Sequence, residues 1–113
     1  MKSHTLRFRA VDKKNFDQVK DGSKPVETRA GTVKYQSIEV GDTLVFSCGG
    51  EKFSKKILKK EHYKSIDAMV KKIPFKKIMP DAGSVAEMKK IYASYSGYEE
   101  KIREFGIFAF YLE

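Results

Sequence analysis

The stretch GSKPVETRAG, residues 22–31, gathers Lys24, Glu27 and Arg29 within six positions. A lysine brings three donors on a flexible stem, a carboxylate only accepts, and a guanidinium presents a planar fork of donors. Together they suit an anionic or amide-bearing ligand. Lys24 and Arg29 would face a phosphate or carbonyl oxygen, and Glu27 would accept from an exocyclic amine or a water. Were Lys24 desolvated in a cleft, its pKa would fall and it would serve as general base or activate a nucleophile. In an enzyme, Lys24 and Glu27 are therefore the candidate catalytic pair. The same spacing also suits a surface ion pair between Glu27 and Arg29, worth about 0–1 kcal/mol, with Lys24 free in solvent.

Those side chains need elements to hold them. Leu6, Phe8 and Ala10 alternate with Thr5, Arg7 and Arg9, the period of a half-buried strand. A short helix follows, with Asp12 as N-cap, Phe16 and Val19 as its apolar stripe and Gly22 as C-cap. Pro25 forces Lys24 into extended backbone and starts a strand from Val26 to Arg29. On that strand Val26 and Thr28 share one face, Glu27 and Arg29 the other. A turn at Gly41-Asp42, a strand through Phe46, a Gly49-Gly50 turn and a returning strand form a hairpin.

From Ser65 the period becomes helical through Ile66, Met69, Val70 and Ile73, until Pro74 stops it. SVAE at 84–87 spaces Ser84 and Glu87 as a capping box, opening a helix with Val85, Met88, Tyr92 and Tyr95. SGYE at 96–99 repeats the device for a helix ending at Gly106. GIFAFYL is apolar on both faces, as expected of a central, covered strand. The order predicts an α+β fold, a small closed or nearly closed β-barrel with helices packed outside; an open α+β sheet is the alternative.

Tyr92, Tyr95 and Tyr98 cluster near a helix junction, where aromatics beside basic groups can stack unpaired bases. Tyr92 and Tyr95 fall on the apolar stripe and read as core; Tyr98, just past Gly97, is the candidate for a cleft rim. KKILKKEHYK at 55–64 and Lys71, Lys72, Lys76 and Lys77 are the densest basic regions. On a regular strand Lys55 and Lys59 share one face and Lys56 and Lys60 the other, equally well explained by an edge strand guarded by lysines. His4 and His62 are far from each other and from Cys48, with no metal-ligand spacing, so no metal or cofactor is expected.

The chain has 113 residues, a length for one domain with one modest core, so residues 1–113 are read as a single unit. Hydrophobic residues make up 41%, which excludes a disordered tail. A net charge of +8 favours polyanionic partners, although lysines carry most of it and also serve solubility. A single cysteine rules out an intrachain disulfide and points to a reducing, cytoplasmic setting. No stretch has the length or hydropathy of a signal peptide or membrane span, so no membrane partner is expected.

Gly22, Lys24, Glu27 and Arg29 in a G-x-K-x-x-E-x-R arrangement, the VGD at 40–42 and the closing YASYSGYEEKIREFGIFAFYL together resemble the ASCH domain family of the PUA-like superfamily. The resemblance spans essentially the whole chain. It implies a β-barrel with flanking helices, with the charged motif lining a cleft associated with RNA or nucleotide recognition. Some members of that family are enzymes: one branch removes acetyl groups from N4-acetylcytidine-type amides, and ribonuclease activity is attributed to another. The amidohydrolase branch carries a threonine where this chain has Glu27, which removes one proposed catalytic side chain. The expectation is an RNA- or modified-nucleotide-binding domain with Lys24, Glu27, Arg29 and Tyr98 at its ligand. A small hydrolase of the same fold and a protein–protein adaptor are the alternatives.

Overall fold

A computed structural model describes residues 1–113. Five strands form one curled sheet in the order β1-β3-β4-β5-β2, with six short helices around it. The strands are β1 (Ser3–Phe8), β2 (Val26–Ala30), β3 (Thr43–Cys48), β4 (Glu51–Tyr63) and β5 (Ile107–Leu112). The helices are α1 (Lys13–Asp21), α2 (Val33–Gln36), α3 (Ile66–Val70), α4 (Phe75–Ile78), α5 (Val85–Ser94) and α6 (Tyr98–Phe105). The sheet curls into a half-barrel that stays open, because its edge strands β1 and β2 do not pair with each other. β1 joins β3 in parallel, which requires the crossover through α1, β2 and α2; every other pairing is antiparallel.

β5 explains why the chain needs a strand that is apolar on both faces. Ile107 and Ala109 face a cluster built with Met69, Ile73, Ile78 and Met88 under the C-terminal helices. Phe108, Phe110 and Leu112 face a second cluster with Phe16, Leu44, Phe46 and Ile57 under α1. The expected single core is thus two apolar layers divided by the sheet, and β5 belongs to both.

Three local expectations are corrected. β4 is no edge strand, since it lies between β3 and β5. A register shift between Ile57 and Lys59 inserts Leu58 as an extra, exposed residue and breaks the lysine alternation. Ile57 therefore packs with Phe108 and Phe110, and Lys60, three residues on, covers the same rings, its Nζ 4.4 Å from the Phe108 centroid. Finally, α6 is capped by Gly97 at φ 70° rather than by Ser96. The other capping box is half realised: Ser84 Oγ accepts from the Glu87 N–H at 3.1 Å, while the Glu87 carboxylate accepts from Gly83 N–H.

Candidate functional site

Gly22 ends α1 at φ 88°, a left-handed conformation that other residues adopt at a cost. Its N–H donates to the Val19 carbonyl, and the N–H of Lys24 reaches back to the Gln18 carbonyl at 3.0 Å. This turn, followed by Pro25, delivers Lys24 to the head of β2 with 8% of its side chain exposed. Pairing of β2 with β5 covers one edge of the strand and leaves the other toward the opening of the half-barrel.

On that open edge Glu27 gathers three donors on one oxygen. Its Oε1 lies 3.1 Å from Arg29 Nη1 and 3.4 Å from Lys24 Nζ, and accepts the Thr28 N–H at 2.9 Å. Arg29 Nη1 also donates to the Thr28 carbonyl at 2.8 Å. The backbone of Thr28, unpaired by any strand on this side, is thus satisfied by the side chains on either side of it. Glu27 is 1% exposed, which excludes the surface-pair reading. Its second oxygen, Oε2, is buried and has no hydrogen-bond partner. A buried acceptor left unpaired is costly, of order 1–3 kcal/mol.

Charge around this carboxyl favours its ionised form. Burial pushes the Glu27 pKa up, but Arg29, then Lys24 and the Thr28 N–H outweigh it, so the net direction is downward. Burial likewise works against the Arg29 cation, and the attraction of Glu27 overcomes it to raise the Arg29 pKa.

These residues floor a cavity of about 320 Å³ at the opening between β1 and β2. β1 and its end contribute Arg7, Phe8 and Arg9; the Arg29 guanidinium lies 5.5 Å over the Phe8 ring and so spans the opening. Tyr35 from α2 stands beside Arg29. The far wall is aromatic. Tyr92 and Tyr98 stack with centroids 6.1 Å apart and planes 1° from parallel, and Tyr95 meets both edge-on. Tyr98 accepts the Ala30 N–H at 3.0 Å, and the Tyr92 hydroxyl is hydrogen-bonded to Thr28 Oγ1. Burial raises the pKa of all three phenols above their ordinary value.

The structure thus brings together Lys24, Glu27, Arg29 and Tyr98, the four residues singled out from sequence. Tyr98 is wall rather than rim, and Tyr92 and Tyr95, read as core, line the cavity as well as packing. Sequence reasoning missed Arg7, Arg9, Tyr35 and Thr28. A usable signal existed for the first two: the chain has only four arginines, Arg7, Arg9, Arg29 and Arg103, and three of them line this cavity. Lys24 is the only lysine that does. The overall charge is carried by lysine, but the cavity is built with arginine.

No helix is long and apolar enough to cross a membrane. No protein-family model matches the chain, and no curated protein matches it. Among solved structures, the fold is similar to the crystal structure of hypothetical protein PH0355, at a TM-score of 0.85 and 26% identity, covering 100% of this chain and 98% of that one. It is also similar to the solution structure of protein PF0455 from Pyrococcus furiosus, at a TM-score of 0.75 and 24% identity, covering 97% and 96% respectively. The α+β half-barrel with flanking helices is therefore an architecture that this chain shares along its whole length with small proteins of the same size.

Proposed function

We propose that the cavity binds a single nucleotide, free or carried by RNA, in a single-domain protein of the ASCH type working in the cytoplasm. The observation that carries the reading is the unpartnered, buried Oε2 of Glu27 within an arginine-rich, tyrosine-walled cavity. An ionised carboxylate oxygen with no donor asks for an N–H, which the edge of every nucleobase or its exocyclic amine supplies. Arg7 at the mouth suits phosphate, which guanidinium forks bind in bidentate fashion, and Arg9, whose Nε is held by Asp12 at 2.8 Å, keeps its terminal nitrogens for the same task. Tyr95 and Tyr98 are half-buried at the cavity wall, where a base could stack for about 1–3 kcal/mol. A volume of about 320 Å³ is at the small end for ligand pockets and suits one nucleotide rather than a duplex. The resemblance in the G-x-K-x-x-E-x-R motif points the same way.

A hydrolase acting on an N4-acetylcytidine-type amide or on RNA is the second reading, favoured by the buried pair of Lys24 and Glu27 beside the Thr28 and Tyr92 hydroxyls. Against it, a carboxyl held below its ordinary pKa is a weak base. Calorimetric titration with cytidine 5′-monophosphate and with N4-acetylcytidine, with product followed chromatographically, separates the two. Binding of the monophosphate, weakened about tenfold or more in Arg7→Gln/Arg9→Gln and without product, is the expected result. Absence of nucleotide binding overturns the reading. Product that disappears in a folded Lys24→Ala variant replaces it with the hydrolase.

A further inference from the structure

Resting on the nucleotide reading above, we propose that residues 71–77 hold the phosphodiester backbone of a single-stranded polynucleotide, one nucleotide of which occupies the cavity. This segment runs from the end of α3 through most of α4 and carries Lys71, Lys72, Lys76 and Lys77, all exposed. From residue 68 to residue 80 there is no acidic side chain. The acids that bound the run are already engaged, Asp67 by Lys89 at 2.6 Å and Asp81 by Lys14 at 3.2 Å. Lys13 and Lys20 are neutralised by Glu51, and Lys59 by Glu61. None of the four lysines here makes an ion pair; Lys52, Lys55 and Lys56 on β4 are equally unpaired, so nearness to the cavity is what distinguishes 71–77.

The segment is also fixed in place and close to the cavity. Ile73 and Ile78 are 1% and 0% exposed and anchor its inner side in the apolar layer under the C-terminal helices. α4 packs against β2, the strand that carries Glu27 and Arg29, and Met79, the residue after α4, lines the cavity itself. The lysines therefore sit on a segment whose last residues pack on the site strand and lead to the cavity wall. The two cation types then divide the task by their chemistry: arginine forks at the mouth grip one nucleotide, and lysine point charges neutralise phosphates beyond it without reading sequence. The strand must be single, because the tyrosine wall stacks only a base free of its partner.

The test compares Lys71→Gln/Lys72→Gln/Lys76→Gln/Lys77→Gln with a charge-matched control on β4, Lys52→Gln/Lys55→Gln/Lys56→Gln/Lys59→Gln. Each is titrated with a single-stranded oligoribonucleotide, cytidine 5′-monophosphate and phosphatidylserine vesicles over a range of salt. The 71–77 variant is expected to lose about tenfold or more in oligonucleotide affinity, and its log–log salt slope to shrink by about 0.7 per lost phosphate contact, so by up to about 3. Its affinity for the monophosphate should stay within about twofold of the parent. An unchanged oligonucleotide affinity overturns the proposal, as does an equal loss in the β4 control, which would mean diffuse attraction by net charge. Lysine-dependent vesicle binding without oligonucleotide binding overturns it in favour of a lipid surface. Failure of the cavity reading looks different: the monophosphate does not bind, while the oligonucleotide still depends on 71–77.

Discussion

Two glutamates in this molecule each hold two cations, and only one of them makes a site. Glu51 takes Lys13 at 3.0 Å and Lys20 at 3.2 Å, one on each carboxylate oxygen. Glu27 takes Arg29 at 3.1 Å and Lys24 at 3.4 Å, both on the same oxygen. By distance the surface cluster is the tighter. The difference lies in burial: the Glu51 side chain is 46% exposed and its lysines about half exposed, whereas the Glu27 side chain is 2% exposed. Water screens the first group and fills whatever bonds it lacks. In the second, each charge depends on its partners, and the buried Oε2 has no donor within the protein.

The largest test of that contrast is Glu27→Gln. Removing the negative charge leaves Lys24 and Arg29 in the cavity without a counter-ion, an effect worth about 3–5 kcal/mol when one partner of a buried pair is lost. Urea unfolding should show the loss as a shifted midpoint with an unchanged slope. A cost below about 1 kcal/mol would mean that the cavity screens its charges as the surface does, and the two glutamates would differ only in appearance.

How much of this was legible beforehand follows from where each signal is stored. The motif and its turn are local: Gly22, Pro25 and the spacing of Lys24, Glu27 and Arg29 are read within ten residues, and the structure keeps them together. β5 was equally plain, since only a strand with two covered faces is apolar at every position. What brings Arg7 and Arg9 to Glu27 is the parallel docking of β1 on β3, a pairing between segments about 40 residues apart that no local period encodes. The Leu58 bulge was hidden for a related reason: strand alternation is assumed until a partner's register contradicts it, and β5 is that partner. α2 and α4, four residues each, are too short to show a helical period.

Asp42 lies between the two glutamates in kind, and acid titration ranks it. It is 4% exposed, like Glu27, but both its oxygens are filled: Oδ1 by the Lys2 N–H, Oδ2 by His4 and the Glu39 N–H. These contacts, the His4 hydrogen bond foremost, hold its pKa at about 2 against an ordinary 3.8. A carboxyl depressed in the folded state stabilises the protein above its unfolded pKa, and that contribution is lost as pH falls through the folded one. Thermal midpoints between about pH 5 and pH 2 should therefore fall more steeply for the parent than for Asp42→Asn. Parallel curves would mean that the His4 contact ties β1 to the β3 turn without contributing to acid stability.

Glu51→Gln should do least. Lys13 keeps Asp17 at 3.0 Å when Glu51 is neutralised, and Lys20 returns to solvent at little cost, so the urea midpoint at physiological salt should not move measurably. If it does move, and the change disappears at high salt, the surface cluster is contributing through long-range attraction between α1 and the β3–β4 turn. That result would narrow the energetic gap between the two glutamates. It would leave the chemical one intact, because each Glu51 oxygen already has its cation and Glu27 still has an oxygen to offer.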